Sequence, residues 1–135
     1  MAPMNWSEEY SVDIISLDLQ HQRIIELINQ LERGAGMHQE TKALGSVLSE
    51  LLSYTKTHFK TEEALMRAHK YPGLASHEVE HRLLVNRVTE FRKKFEAGKL
   101  TDVYELVSFL EGWLESHILG TDKKYTPYLS GKGIR

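Results

Sequence analysis

The chain has 135 residues, a formal charge of −2 at pH 7 and no cysteine. That length suits one domain over residues 1–135 with a full hydrophobic core. The balanced charge argues against nucleic acid or an anionic membrane as partner. The lack of thiols excludes disulfides, thiolate zinc sites and iron–sulfur clusters. No apolar run is long enough to insert in a bilayer, and the start, Met1-Ala2-Pro3-Met4, has no leader-like pattern, so the expected location is cytoplasmic.

Residues 1–17 lack helical periodicity but carry Trp6 and Tyr10, which predicts an ordered N-terminal arm packed on a bundle. Asp18 is placed to N-cap a first helix ending near Gly34, with His21, Ile24, Ile28 and Leu31 on one stripe. After a loop over Gly34–Gln39, a second helix is predicted from about Thr41 to His69. Its stripe is Leu44, Leu48, Leu51, Thr55, His58, Glu62 and Leu65. Tyr71-Pro72-Gly73 stops it, because proline cannot continue a helix and disfavours one in the residue before.

A third helix starts near Leu74 and runs to Gly98, with Leu74, His77, His81, Leu84, Val88, Phe91 and Phe95 facing inward. Asp102-Val103-Tyr104-Glu105 resembles a capping box for a fourth, with Leu106, Leu110, Trp113 and His117 as its stripe and Gly120 as its end. The tail from Thr121, with Pro127 and two glycines, is expected to be irregular. The fold class expected is all-α: an antiparallel up-down-up-down four-helix bundle with an N-terminal arm and a short C-terminal tail.

Every helix thus carries histidine on its buried stripe. Burying such groups without partners costs about 1–3 kcal/mol each, and more for a carboxylate, which a domain of ordinary stability could not sustain five or six times. Metal coordination removes the conflict by satisfying the nitrogen lone pairs and neutralising the carboxylate. The candidate ligands are His21, His58, Glu62, His77, His81, His117 and Asp122. Histidines or acids four apart on a helix share a face, as His58/Glu62 and His77/His81 do. Asp122 lies five after His117, where an unwound helix end could swing it back.

Seven donors exceed the four that zinc normally takes. They suit two six-coordinate ions bridged by Glu62 and Asp122, with an exogenous bridge and one open position, and imidazole-rich octahedral ligation favours iron. His77-Glu78-Val79-Glu80-His81 also spells the H-E-x-x-H of zinc proteases, but no further histidine motif follows it. Glu78 and Glu80 are expected to point to solvent. Carboxylate-rich di-iron oxidases need Glu-x-x-His on two helices, and only Glu78-Val79-Glu80-His81 supplies one.

Taken together, the Trp6 arm, Asp18-x-x-His21, His58-x-x-x-Glu62, Tyr71-Pro72, His77-x-x-x-His81 and Trp113-Leu114-x-x-His117-x-x-x-x-Asp122 resemble the hemerythrins, specifically the single-domain bacterial members. The resemblance implies one iron held by His77, His81 and His117, and a second held by His21 and His58 with a site left for dioxygen. Glu62, Asp122 and an oxo or hydroxo group would bridge the two iron ions. Ile24, Phe59, Trp113, Leu114 and Ile118 resemble the apolar pocket around that open site. The implied function is reversible dioxygen binding for transport, storage or delivery, without catalysis. Alternatives on the same scaffold are a di-iron oxidase, peroxidase or nitric-oxide-handling enzyme, or an oxygen or iron sensor. The implied partners are dioxygen and an oxygen-consuming enzyme that it could supply, with the protein itself a monomer. His38 and His69 match no ligand position.

Overall fold

The computed structural model describes residues 4–36, 41–98 and 103–135. After a single 3-10 turn at Glu8–Tyr10 come α1 (Ile15–Gly36), α2 (Thr41–Ala68), α3 (Leu74–Glu96) and α4 (Val103–Ser116). A π-helical segment, His117–Asp122, continues α4 directly into α5 (Lys123–Gly131). Among the described residues there is no strand. α1 packs on α2 and α4, α2 packs on α3, and the Phe91 and Phe109 rings meet at 5.8 Å to join α3 to α4. The result is the four-helix bundle expected from short connections.

The bundle is divided along its length. The C-terminal half of α1, the N-terminal half of α2, the C-terminal half of α3 and the start of α4 lie at one end. They fill it with Leu27, Ile28, Leu31, Leu48, Leu51, Val88, Phe91 and Leu106, all buried. The complementary halves meet at the other end, and there the up-down alternation gathers His21, His58, Glu62, His77, His81 and His117.

Several boundaries differ from the sequence reading. α1 begins three residues before Asp18, so Asp18 sits in its first turn and not at the N-cap. Its carboxylate reaches back to the arm, accepting from Val12 N at 2.8 Å and Ser11 Oγ at 2.6 Å. The arm is held further by Asn29, which exchanges two hydrogen bonds with Met4, and by burial of Val12 and Ile14. Trp6 and Tyr10 pack partly buried against the core. α1 runs on to Gly36, past the predicted end at Gly34. The loop beyond it, His38 and the Asp102 capping residue lie outside the described residues.

α2 stops before Tyr71-Pro72-Gly73. Lys70 takes a left-handed conformation at φ 56°, Lys70 N donates to Arg67 O, and Tyr71 N donates to Met66 O. This is a Schellman stop built without glycine. Its carbonyls at His69 and Lys70 also accept from the Tyr128 hydroxyl. Met66 is buried while Leu65 is only half-buried, because 3.6 residues per turn carries the inward face from Glu62 to 66. On α4 the buried position is likewise Leu114, with Trp113 half-buried at the edge.

The largest departure is the tail. Gly120 does not end a helix, and residues 123–131 are helical although Pro127 lies inside them. Pro127 is exposed, so its missing N–H costs one solvent-side hydrogen bond. On the opposite side Tyr125 and Leu129, four apart, are completely buried, and that burial outweighs the loss.

Candidate metal centre

The π-helical segment explains how Asp122 reaches the site. In an α-helix a residue five after His117 would be rotated well away from it; wider i→i+5 turns bring the two onto one side. His117 and Asp122 are both buried, with His117 Nε2 3.0 Å from Asp122 Oδ1.

All seven predicted residues converge in one buried cluster. Glu62 Oε1 lies 3.2 Å from His77 Nε2 and 3.1 Å from His81 Nε2. Its other oxygen, Oε2, lies 3.6 Å from His21 Nε2 and 3.5 Å from His58 Nε2. Asp122 divides in the same way: Oδ1 is 2.8 Å from His77 Nε2, and Oδ2 is 3.2 Å from His21 Nε2. Each carboxylate therefore offers one oxygen to a three-histidine group (His77, His81, His117) and the other to a two-histidine group (His21, His58).

The outer imidazole nitrogens are engaged by groups the sequence reading did not single out. His81 Nδ1 is 2.6 Å from Glu63 Oε2, His117 Nδ1 is 2.9 Å from Glu80 Oε1, and His58 Nδ1 is 2.6 Å from Gln20 Oε1. Each partner oxygen can only accept, so each Nδ1 carries the proton and each Nε2 turns a lone pair inward. His81 Nε2 and His117 Nε2 face each other at 3.1 Å. Both Asp122 oxygens are buried without a hydrogen bond, although imidazole nitrogens stand within ion-pair distance. Imidazole nitrogens and carboxylate oxygens that converge on one buried centre in this way fit a cation between them.

Glu80 corrects the expectation that it is solvated. It is half-exposed, yet its carboxylate accepts from both His117 Nδ1 and Thr121 Oγ1, and those bonds hold it below the usual range against the effect of burial. Glu78 points away from the site and pairs with Arg67. Tyr125, missed because it lies in the expected irregular tail, donates from its hydroxyl to Glu62 Oε2 at 2.8 Å. Burial and the adjacent Glu62 push its phenol well above the ordinary value.

Without a cation the cluster polarises itself. Burial opposes charge on Glu62 and Asp122, but the surrounding imidazoles hold both carboxyls well below their usual values. Burial likewise opposes a proton on His21, yet Asp122 and Glu62 raise it to about 10; the same contest raises His77 to about 9. For His58 burial wins and the value falls.

Of the predicted pocket residues, Ile24, Phe59, Leu114 and Ile118 are buried. The Phe59 ring stacks on His81 at 3.7 Å and the half-buried Trp113 ring on His117 at 4.3 Å. His69 is half-buried at the end of α2, outside the cluster. Among the described residues no helix is long and apolar enough to cross a membrane.

The hemerythrin HHE cation binding domain family matches residues 13–129. A bacteriohemerythrin of Stenotrophomonas maltophilia is 39% identical over 126 residues, covering 93% of this chain and 80% of that one. One from Methylococcus capsulatus is 34% identical over 131 residues, covering 96% and 99%. A wild-type hemerythrin crystal structure superimposes with a TM-score of 0.88 at 33% identity, covering 93% of this chain and 97% of the other. With these likenesses and a buried histidine–carboxylate cluster split across two groups, the chain belongs to the hemerythrin family.

Proposed function

We propose that this chain, as one domain, binds dioxygen reversibly at a pair of non-haem iron ions. The observation that carries the reading is the division of Glu62 and Asp122, each with one oxygen toward His77 and its three-histidine group and one toward His21 of the two-histidine group. His77, His81 and His117 would hold one ion, His21 and His58 the other, and the two carboxylates would bridge them. Three imidazoles against two leaves the second ion a ligand short, which is where an exogenous molecule would enter. When bound, the iron pair supplies the two reducing equivalents that dioxygen binding requires.

The protein's own contribution is positional. Glu63, Glu80 and Gln20 fix the tautomers of His81, His117 and His58, so the Nε2 lone pairs need no reorganisation. Tyr125 holds Glu62 from behind. Phe59, Leu114, Ile118 and Ile24, with Trp113 at the edge, would keep water and anions from the site, favouring release of dioxygen over loss of an electron. Neutral imidazoles in place of carboxylates support binding over oxidation chemistry.

The test is an iron assay followed by one redox cycle under a visible spectrometer. Reduced protein should carry about two irons per chain and gain bands with dioxygen that fade when it is withdrawn. Irreversible conversion to a ferric form would favour an enzyme on this scaffold; far less iron than expected would refute the centre itself.

A further inference from the structure

Three of the six tyrosines gather behind Glu62. Tyr125 is completely buried, its hydroxyl on Glu62 Oε2 and its ring stacked 5.6 Å from that of His77. Tyr71 meets Tyr125 edge-on at 6.4 Å, and Tyr128 meets Tyr71 at 5.4 Å. Tyr71 is half-buried, so this row of rings runs from the bridging carboxylate to the surface. Gly73 makes room for it: a Cβ there would come within 2.6 Å of the Tyr71 ring.

The three hydroxyls are treated differently. Tyr125 has a carboxylate to take its proton. The Tyr71 hydroxyl makes no hydrogen bond to any described residue, and its side chain is half-buried. The Tyr128 proton is pinned on two carbonyls, His69 O at 2.6 Å and Lys70 O at 3.0 Å, which are too weakly basic to accept it. Lys132 Nζ also lies 5.4 Å from the Tyr128 ring, and a cation there disfavours removal of an electron. A row of rings that served only packing would need no such gradient.

We propose that Tyr125 and Tyr71 form a one-electron relay between the Glu62 side of the candidate metal centre and solvent, with Tyr71 as its terminus. The inference rests on the iron reading above. The oxidant is hydrogen peroxide, reduced to two waters by two electrons from the centre and two solvent protons; the centre is left two electrons over-oxidised, and two passes of the relay restore it. Tyr125 gives one electron to the centre and its phenolic proton to Glu62 Oε2. The neutral Tyr125 radical then takes one electron from Tyr71 and recovers its proton from Glu62. Tyr71 releases its own proton to water and holds the radical until a small thiol or ascorbate-type reductant returns one electron and solvent one proton. The centre is thereby spared damage to its ligands.

The full-length, iron-loaded protein should be mixed with hydrogen peroxide, frozen within the reaction and examined by electron paramagnetic resonance, with iron content and visible spectrum recorded on each sample. The parent should give a tyrosyl signal. Tyr71→Phe keeps the ring and removes no hydrogen bond, so it should bind iron normally, lose the part of the signal that added ascorbate quenches, leaving only radical on buried Tyr125, and lose its iron faster on repeated peroxide additions. Tyr128→Phe should retain the quenchable signal. A Tyr71→Phe protein with full iron and the parent's ascorbate-quenchable radical overturns the relay, as does a parent protein that binds iron and yields no tyrosyl radical. A parent that binds no iron refutes the metal reading and the relay with it.

Discussion

Inserting one alanine after Gly120 tests whether the π-helical segment is what completes the site. One more residue leaves His117 and Asp122 six apart, beyond what a single i→i+5 turn absorbs. The chain beyond must then rotate by about 100° about the helix axis. Asp122, Tyr125 and Leu129, all completely buried, cannot stay inward together after that turn. Exposing Tyr125 and Leu129 costs about 1.5–3 kcal/mol each. Losing the Tyr125 bond to the Glu62 carboxylate costs about 1.5–3 kcal/mol more. The sum, about 5–9 kcal/mol, rivals the whole stability of an ordinary domain. Thermal melting of metal-free protein should fall by about 20 °C or more, or α5 should detach, and the iron assay should show a deficient centre. Gly120→Ala is the control. Gly120 has no positive φ, and a Cβ there would meet nothing within 4 Å, so alanine should be neutral or stabilising by up to about 1 kcal/mol. An insertion that keeps full iron and the parent melting temperature would refute the reasoning, as would a destabilising Gly120→Ala.

Four further outcomes are expected. His77→Ala removes an imidazole whose Nε2 lies 3.2 Å from Glu62 and 2.8 Å from Asp122, so iron content and the iron-dependent part of the melting temperature should both fall. Leu114→Ala empties a buried position at a cost of about 2–5 kcal/mol, and should retain iron while speeding oxidation of the oxygenated form, read from the decay of its visible bands. In metal-free protein, His21 raised to about 10 and His77 to about 9 contribute stability present below pH 6.5 and lost as pH rises toward 9–10. The depressed Glu62 and Asp122 contribute stability present above their usual carboxylate range and lost in acid. Metal-free melting should therefore peak near about pH 5–6.5, while the gain from iron, which competes with those protons, should widen as pH rises. Finally, burial and the neighbouring Glu32 raise Glu111 above its ordinary value, so its ionised form opposes folding at neutral pH. Glu111→Gln should raise the melting temperature at pH 7, with the gain shrinking toward pH 4.

The helices and the seven-residue cluster were legible because their signals are local. His58/Glu62 and His77/His81 sit one turn apart on a single face, and burying them on apolar stripes is a conflict visible without coordinates. Asp122 was legible only as a donor at an odd spacing; the widened turn over His117–Asp122 is not written in any side chain. α5 was misread because Pro127 and the nearby glycines are local stop signals, and burial of Tyr125 and Leu129 against distant helices overrode them. The same holds for Lys70, where hydrogen bonds to Arg67 and Met66 sustain a left-handed residue that sequence rules would assign to glycine.

The groups that were missed share one property: each acts across helices. Glu63 sits on α2 and serves His81 on α3; Glu80 sits on α3 and serves His117 after α4; Gln20 sits on α1 and serves His58 on α2. A helical stripe shows which residues face inward, but a residue beside the stripe can reach sideways to the neighbouring helix, and only the packing says which. Glu80 shows the consequence. Its position on α3 reads as solvated, and half of it is, yet its inner oxygens fix the His117 tautomer and bind Thr121 inside the π-helical turn. One carboxylate thus orients an imidazole and braces the backbone segment that delivers Asp122, which ties the geometry of the site to the local unwinding that makes it possible.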